Sequence, residues 1–188
     1  SDEKVIFPVT VQANGSAVYT IKVGIPQECP VKACGRYYPE RVDDVAWEND
    51  LTAFRAYGPA LQETGERAFG YDIWTKYNTT EPVVEARYEG ELNPDMKTKI
   101  AELGKMDPKA AQELYRSVSY HVDHGNGLDC YKVGPTLGGG TTALMAGDTI
   151  VYPYCYATQE ILDNGPLRFT VKLVYNPLVV KGDSTIIE

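Results

Sequence analysis

Apolar and polar side chains alternate along several stretches of this chain, with the period of a strand that buries one face. Residues 4–12 (KVIFPVTVQ) and 17–24 (AVYTIKVG) are rich in β-branched residues and flank an Ala-Asn-Gly-Ser turn, so they predict an opening β-hairpin. Gly, Pro and Asn separate the later strand patterns, which lie at residues 83–88, 148–156, 168–175 and 178–187. The pattern predicts a mainly β protein built from antiparallel sheet.

One region departs from this alternation. Asn93-Pro94 and Asp107-Pro108 each place a capping side chain before a proline, and helix-forming sequence follows both. They predict two short helices, a helical insertion at about residues 93–118 whose charged faces are solvated. The sequence has no internal repeat or low-complexity linker, so residues 1–188 are expected to form a single β-rich domain.

The two ends of the chain add an expectation about its context. Residues 178–187 still alternate, so the sequence is expected to be the N-terminal part of a larger domain, completed by a C-terminal half or a second subunit. The chain begins at Ser1 without an initiating Met, which suits a form whose targeting segment was removed. This favours a periplasmic or extracellular location.

Composition narrows the classes of partner. The chain has 188 residues, of which 43% are hydrophobic, yet no apolar run reaches the ~18 residues of a membrane span. Its net charge is −8 and it has no run of Lys or Arg to neutralise phosphates. The sequence therefore predicts no membrane span and no nucleic-acid partner.

Four cysteines leave their redox state open. Cys29 with Cys34, and Cys130 with Cys155, would make two disulfides in an oxidising compartment, but four buried thiols fit equally well. Zinc is disfavoured, because neither pair has the short spacing of a zinc knuckle.

Both histidines of the chain lie in the segment Tyr120-His121-Val122-Asp123-His124, directly after a predicted helix. In one interpretation a histidine is a general base and Tyr120 or Tyr131 is the proton donor. In a second, His121, Asp123 and His124 are metal ligands. In the third, the segment is a hydrogen-bonded turn organised by the glycines that follow.

Glycines are dense at residues 134–140 (GPTLGGG), but the Lys-Ser/Thr pair of a phosphate-binding loop is absent. They are better explained as places where the backbone passes close to a ligand or a packed neighbour. Lys132, just upstream, would pair with an acidic ligand or remain solvated.

A second dense segment spans residues 41–58. Read as one strand, residues 47–55 mix apolar and polar groups on both faces, which predicts a polar group placed in a cleft or paired across a sheet. Glu48 and Asp50 would form a carboxylate pair for acid–base chemistry, or bind a structural Ca²⁺ with Asp43 or Asp44. The alternative is a buried ion pair of Arg55.

Aromatic content adds a weak signal for a sugar ligand. The chain has 14 Tyr and 2 Trp, and Trp47 and Trp74 offer flat apolar faces with a polar edge that suit stacking on sugar rings.

Four stretches together resemble a family of secreted proteins from glycan-degrading Gram-negative bacteria that is catalogued as domain of unknown function 4861. They are RYYPERVDDVAWENDLTAFRAYGPAL (36–61), GYDIWTKY (70–77), YHVDHGNGLDCYKVGPTLGGG (120–140) and NGPLRFTVKLVY (164–175). The resemblance implies an antiparallel β-sandwich similar to the mutarotase-like and polysaccharide-lyase supersandwiches, of which this chain would be a part. It also implies an oligosaccharide or polysaccharide partner, with uronate-containing glycans as expected substrates.

The resulting hypothesis is an extracytoplasmic carbohydrate-active protein that performs β-elimination or dehydration on uronate-containing oligosaccharides, without a cofactor. The alternatives are a glycoside hydrolase that uses Glu48 with Asp50 or Asp123, and a non-catalytic glycan-binding module. The catalytic candidates are His121, His124, Tyr120, Tyr131 and Arg55, and the substrate-binding candidates are Trp47, Asn49, Trp74, Asp123 and Lys132.

Overall fold

A computed structural model describes residues 5–25, 28–180 and 183–185. Its centre is a four-stranded antiparallel meander in the order β1-β2-β3-β4. The strands are β1 (Ala33–Tyr38), β2 (Asp44–Asn49), β3 (Thr52–Ala56) and β4 (Asp72–Thr75). A 3-10 turn at Pro39–Arg41 joins β1 to β2, and a two-residue connection joins β2 to β3.

Helix α2 (Val84–Leu92) packs on one face of this sheet, and α3 (Pro94–Gly104) and α4 (Pro108–Val118) pack against α2. Helix α1 (Pro59–Glu63) belongs to a separate cluster, in which Leu61 packs with Tyr57, Ala68 and Val133. Both α3 and α4 start at the predicted prolines, with Asn93 and Asp107 accepting hydrogen bonds from the first-turn amides. The buried residues on this face belong to the sheet, α2 and the segment after α4: Tyr38, Ala46, Ala53, Trp74, Val84, Tyr88 and Tyr120.

A long β-hairpin packs on the opposite face. Its strands are β7 (Tyr156–Gly165) and β8 (Arg168–Tyr175), and Tyr156, Leu173 and Tyr175 meet Val45 and Ala56 of the sheet. Two short strand pairs complete the described chain, formed by β5 (Leu144–Ala146) with β6 (Thr149–Val151) and β9 (Leu178–Val180) with β10 (Asp183–Thr185). The predicted class, mainly antiparallel strands with a few short helices, is confirmed.

Three expectations about elements differ from the structure. The stretch predicted as a strand at 83–88 is α2, which caps its first amides with the remote carboxylate of Glu48. The stretch predicted as one strand at 47–55 is the β2–β3 hairpin, so Trp47 pairs with Phe54 while Glu48 pairs with Ala53 on the other face. Residues 152–154, inside the predicted strand at 148–156, are irregular.

The predicted opening hairpin is also only partly present. A turn closes where expected, since the Gly15 amide donates to the Gln12 carbonyl at 2.9 Å. No strand forms within residues 5–25, although Tyr19 contacts Phe7 and Thr10 across the turn. Lys4 of the predicted hairpin and the end of the 178–187 stretch lie outside the described residues. No helix in the part of the chain that the structure describes has the length and apolar character to cross a membrane.

Candidate functional site

A cleft of about 550 Å³ opens beside the helical face of the sheet. Arg55 of β3 and Asp129 form its floor, the segment around residues 120–132 forms one wall, and α2 and α3 form the other. Its lining residues are Arg41, Arg55, Tyr57, Glu66, Glu91, Leu92, Lys97, Tyr120, His121, Leu128, Asp129, Cys130, Tyr131 and Lys132.

The floor is a buried charge network centred on Arg55, which is 3% exposed. Its Nη2 donates to Asp129 Oδ2 at 2.8 Å, to the Tyr57 hydroxyl at 3.0 Å and to Asp72 Oδ2. Its Nη1 donates to the Tyr120 hydroxyl at 3.4 Å. These contacts hold the guanidinium rigidly and leave it engaged with protein groups, as the buried ion-pair interpretation expected.

Three buried carboxylates surround Arg55, and each keeps one oxygen without a hydrogen-bond partner in the described structure: Asp44, Asp72 and Asp129. Burial raises the pKa of Asp44 to about 6, against the attraction of Arg55 and Arg41. Burial likewise raises the pKa of Asp129, against the attraction of Arg55. Burial in the network therefore disfavours the charged forms of Asp44 and Asp129.

His121 stands where this network meets the cleft. Its Nδ1 lies 3.4 Å from Asp129 Oδ2 and 3.3 Å from the Asp129 carbonyl, while its side chain is 49% exposed. When Nδ1–H donates to the Asp129 carbonyl, the ring leaves Nε2 as its proton acceptor. His121 thus has the arrangement of a general base oriented by a backbone carbonyl, beside a carboxylate that Arg55 fixes.

Tyr131 and Lys132 lie at the rim of the same cleft. The Tyr131 hydroxyl donates to the Tyr71 carbonyl at 3.2 Å, and partial burial raises the pKa of Tyr131, so the phenol stays protonated at neutral pH. Lys132 is 79% exposed and lies 3.8 Å from Glu66. Of the sequence candidates, the cleft brings together His121, Tyr120, Tyr131, Lys132 and Arg55.

The glycines of the loop let it run along the outer edge of β4. The Thr75 amide donates to the Leu128 carbonyl at 3.0 Å, and the Gly139 amide donates to the Tyr71 carbonyl at 2.6 Å. Gly127 and Gly138 have positive φ, and a Cβ on either would lie within 2.2 Å of a β4-side carbonyl oxygen. Close backbone packing therefore accounts for these two glycines without a ligand.

His124 and Asp123 have a different environment from His121. His124 Nε2 lies 3.0 Å from the Ser119 carbonyl, and Asp123 Oδ1 accepts from the Gly125 and Gly127 amides. Neither residue lines the cleft. They form the hydrogen-bonded turn that the third interpretation of this segment described.

The two tryptophans and Asn49 also lie outside the cleft. Trp47 is on the hairpin side of the sheet, near-parallel to Phe54 and Phe169 at centroid distances of 5.7 and 6.4 Å. Trp74 is 1% exposed and stacks on Tyr120, so no face of its indole is open to a sugar. The Asn49 side chain accepts the amides of the β2–β3 turn.

The proposed carboxylate pair and calcium site do not assemble around Glu48. Its carboxylate accepts the Val83 and Val84 amides at 2.9 Å and pairs with Lys76 at 2.9 Å, which makes it the N-terminal cap of α2. No group of three or more His, Cys, Asp or Glu among the described residues is placed to hold a metal ion. All four cysteines, which lie within the described ranges, are free.

Several residues of the cleft were missed by sequence reasoning. Lys97 lies on a helix whose charged face was predicted to be solvated, and Glu91 lies on α2, which was not predicted as a helix, yet both line the cleft. Asp72 and Tyr57 complete the network around Arg55 and carry no motif of their own. Arg41 is one of several charges in the 41–58 segment, and only the fold distinguishes it.

The fold and the cleft define a class: an antiparallel-sheet protein that holds a histidine beside a buried network of arginine and carboxylates. The chain belongs to the family described as Domain of unknown function (DUF4861), which matches residues 1–188 and confirms the resemblance seen in the sequence.

One curated relative is similar as well. The chain is 28% identical over 159 residues to "Uncharacterized protein P7" from Formosa agariphila, and the match covers 81% of this chain and 34% of that protein. The chain spans about a third of the length of this relative. No solved structure matches this chain.

Proposed function

We propose that the protein is a carbohydrate-active enzyme that cleaves uronate-containing oligosaccharides by β-elimination, in the periplasm or outside the cell. The observation that carries the proposal is the position of His121 at the edge of the cleft, where its Nδ1 bonds the Asp129 carbonyl at 3.3 Å and lies 3.4 Å from the buried Asp129 carboxylate. β-Elimination needs a base for the proton α to a carboxylate, and this pair supplies one without further assembly.

The reaction balances with groups that line the cleft. His121 Nε2 takes the proton from the carbon α to the substrate carboxylate. The electrons of that C–H bond form a C=C bond as the bond between the β-carbon and the glycosidic oxygen breaks. Tyr131, kept protonated by its raised pKa, donates its hydroxyl proton to the leaving oxygen.

Arg55 and Tyr120 serve the base and do not contact the substrate in this proposal. Arg55 is buried, and its two terminal nitrogens donate to carboxylates and hydroxyls. Tyr120 is buried at 3% exposure beneath the histidine. Their contribution is to fix Asp129, and through it the tautomer and orientation of His121.

An assay on a panel of uronate oligosaccharides tests the proposal directly. It measures the ultraviolet absorbance of the unsaturated uronate that β-elimination produces. We expect His121→Gln to lower the rate about 10²- to 10⁴-fold, the usual contribution of a positioned base. His124→Gln is the matched control, because an amide can replace the hydrogen bond of His124 to the turn. Its rate should stay within about twofold of the wild type.

Three results would contradict the proposal. Release of reducing ends without a new chromophore would identify a hydrolase, because hydrolysis creates no double bond. Binding of the same oligosaccharides with no product from any of them would leave a glycan-binding module. Equal loss of rate in both histidine variants would also remove His121 from its assigned role.

A further inference from the structure

Arg41 lines the cleft, and its guanidinium is positioned by protein contacts while some of its N–H groups have no acceptor among the described residues. It lies in the 3-10 turn between β1 and β2, and its side chain is 21% exposed. Its Nε donates to the Tyr120 hydroxyl at 3.3 Å, and its Nη1 lies 3.8 Å from Asp44 Oδ2. No acceptor within the described residues contacts its Nη2.

The other cations of the cleft are less suited to orient an anion. Arg55 is buried and donates to protein groups. Lys132 projects into solvent beside Glu66, and Lys97 is exposed on α3 without a partner among the residues that the structure describes. A flexible ammonium adds charge, whereas a guanidinium fixed from behind presents its donors in a set direction.

The side chains on the walls of the cleft are those that an anionic ligand would meet. Apart from the buried network of Arg55 with its three carboxylates, the cleft is lined by three cations, Arg41, Lys97 and Lys132, and two carboxylates, Glu66 and Glu91. The whole chain carries −8. Glu91 is further occupied by the Ser119 hydroxyl and the Tyr120 amide at 2.8 and 3.0 Å. Cations therefore outnumber carboxylates by one on the walls of the cleft, although the buried network beneath them is not itself positive.

We propose that Arg41 docks the carboxylate of the substrate and so selects uronates over neutral sugars. The identity of the ligand rests on the proposed function. Arg41 and His121 both contact Tyr120, the first through the hydroxyl and the second through the ring, so a carboxylate on Arg41 would lie on the same side of the network as the base. Neutralisation of that carboxylate is also what makes the α-proton removable.

Binding of a uronate oligosaccharide and of its carboxyl-reduced counterpart tests the proposal. Calorimetry in the His121→Gln background measures affinity without turnover. We expect Arg41→Gln to weaken binding of the uronate about 10- to 100-fold and to leave the reduced oligosaccharide within about twofold. Arg41→Lys should recover only part of the loss, because an ammonium lacks the planar pair of donors.

The controls separate docking from folding and from general charge. Arg116→Gln removes an exposed cation from the end of α4 and should change neither affinity. Lys132→Gln should weaken the uronate less than Arg41→Gln does. Equal weakening of both oligosaccharides by Arg41→Gln would mean a structural role and would overturn the inference, as would a larger effect of Lys132→Gln or no binding of the uronate.

The two proposals fail in different ways. Arg41-dependent binding of the uronate without any unsaturated product would refute β-elimination and keep Arg41 as the docking residue. Formation of the product with a KM that does not change in Arg41→Gln would keep β-elimination and refute the role of Arg41.

Discussion

At the residue scale, Asp44 shows how the buried network makes the stability of the fold depend on pH. Its pKa is raised from 3.8 to about 6 by burial, so the folded state holds its proton more tightly than the unfolded state does. The corresponding contribution to stability is fully present below pH 3.8 and is lost as the pH rises through about 6. Asp44→Asn keeps a neutral side chain of the same shape that can accept the Tyr88 hydroxyl.

We therefore expect the stability of the Asp44→Asn variant, relative to that of the wild type, to increase as the pH rises. The unfolding free energy of the variant relative to the wild type should increase by about 2 to 3 kcal/mol between about pH 4 and about pH 7. Denaturant titrations of both proteins at the two pH values measure this difference. A difference that does not vary with pH would show that Asp44 has the same pKa in the folded and unfolded states.

Residue types indicated where the chemistry lies but not which residue performs it. The sequence singled out the segment with both histidines, yet His121 and His124 differ only in what they meet in space, Asp129 in one case and the Ser119 carbonyl in the other. Both contacts join residues that are separated by several positions in a folded loop. No local sequence pattern shows which histidine meets Asp129. Likewise, no local pattern shows that Arg41 lines the cleft or that Asp72 contacts Arg55.

The loop along β4 gives a prediction at the scale of an element. Gly125 and Gly127 both have positive φ, at 94° and 99°, but only Gly127 has a neighbour where a Cβ would lie, the Thr75 oxygen at 2.1 Å. Gly125→Ala should cost about 1 kcal/mol from backbone strain alone. Gly127→Ala should cost about 3 kcal/mol or more, because the loop must also move off the strand.

Unfolding free energies of the two alanine variants check this comparison. The displaced loop carries Asp129 and His121, so Gly127→Ala should also lower the proposed activity, while Gly125→Ala leaves it close to the wild type. Equal destabilisation by the two substitutions would mean that the loop does not pack against β4 as described.

Elements with local signals were predictable, and those fixed by distant partners were not. The helices α3 and α4 follow from Asn93, Asp107 and the prolines after them, since an N-cap acts within its own first turn. The helix α2 has no capping side chain next to it in the chain. Its cap is Glu48, some 35 residues upstream, so the alternation at 83–88 was mistaken for a strand.

At the scale of the whole molecule, the sheet separates two different environments. The helical face carries the buried charges and the cleft, and the hairpin face packs aromatic and aliphatic side chains. The mixed faces of the 41–58 segment arise from this division, because the β2–β3 hairpin places Glu48 and Arg55 on one side and Trp47 and Phe54 on the other. A single-strand interpretation could not separate them, although it correctly indicated that a charge is buried in the sheet.

Residues 5–25 contain many apolar side chains that do not pack against the sheet, the helices or the hairpin. Val18, Val23 and Ile25 are almost fully exposed, and the ring and hydrogen-bond contacts of Tyr19 stay within the segment. A stretch that buries so little apolar surface adds little to the stability of the rest of the chain. Its alternating β-branched residues are instead the kind of sequence that pairs between molecules.

Deletion of residues 5–25 should therefore reduce self-association without changing the thermal stability of the protein. We expect the melting temperature to change by less than about 2 °C, because the core clusters keep all their members. Concentration-dependent light scattering should fall, because the exposed apolar residues are gone. A control that replaces Val18 and Val23 with Thr keeps the length and the β propensity of the segment and should reduce scattering in the same direction. A large drop in melting temperature would instead show that the segment packs on the sheet in solution, with its apolar positions buried against a face that the described contacts leave open.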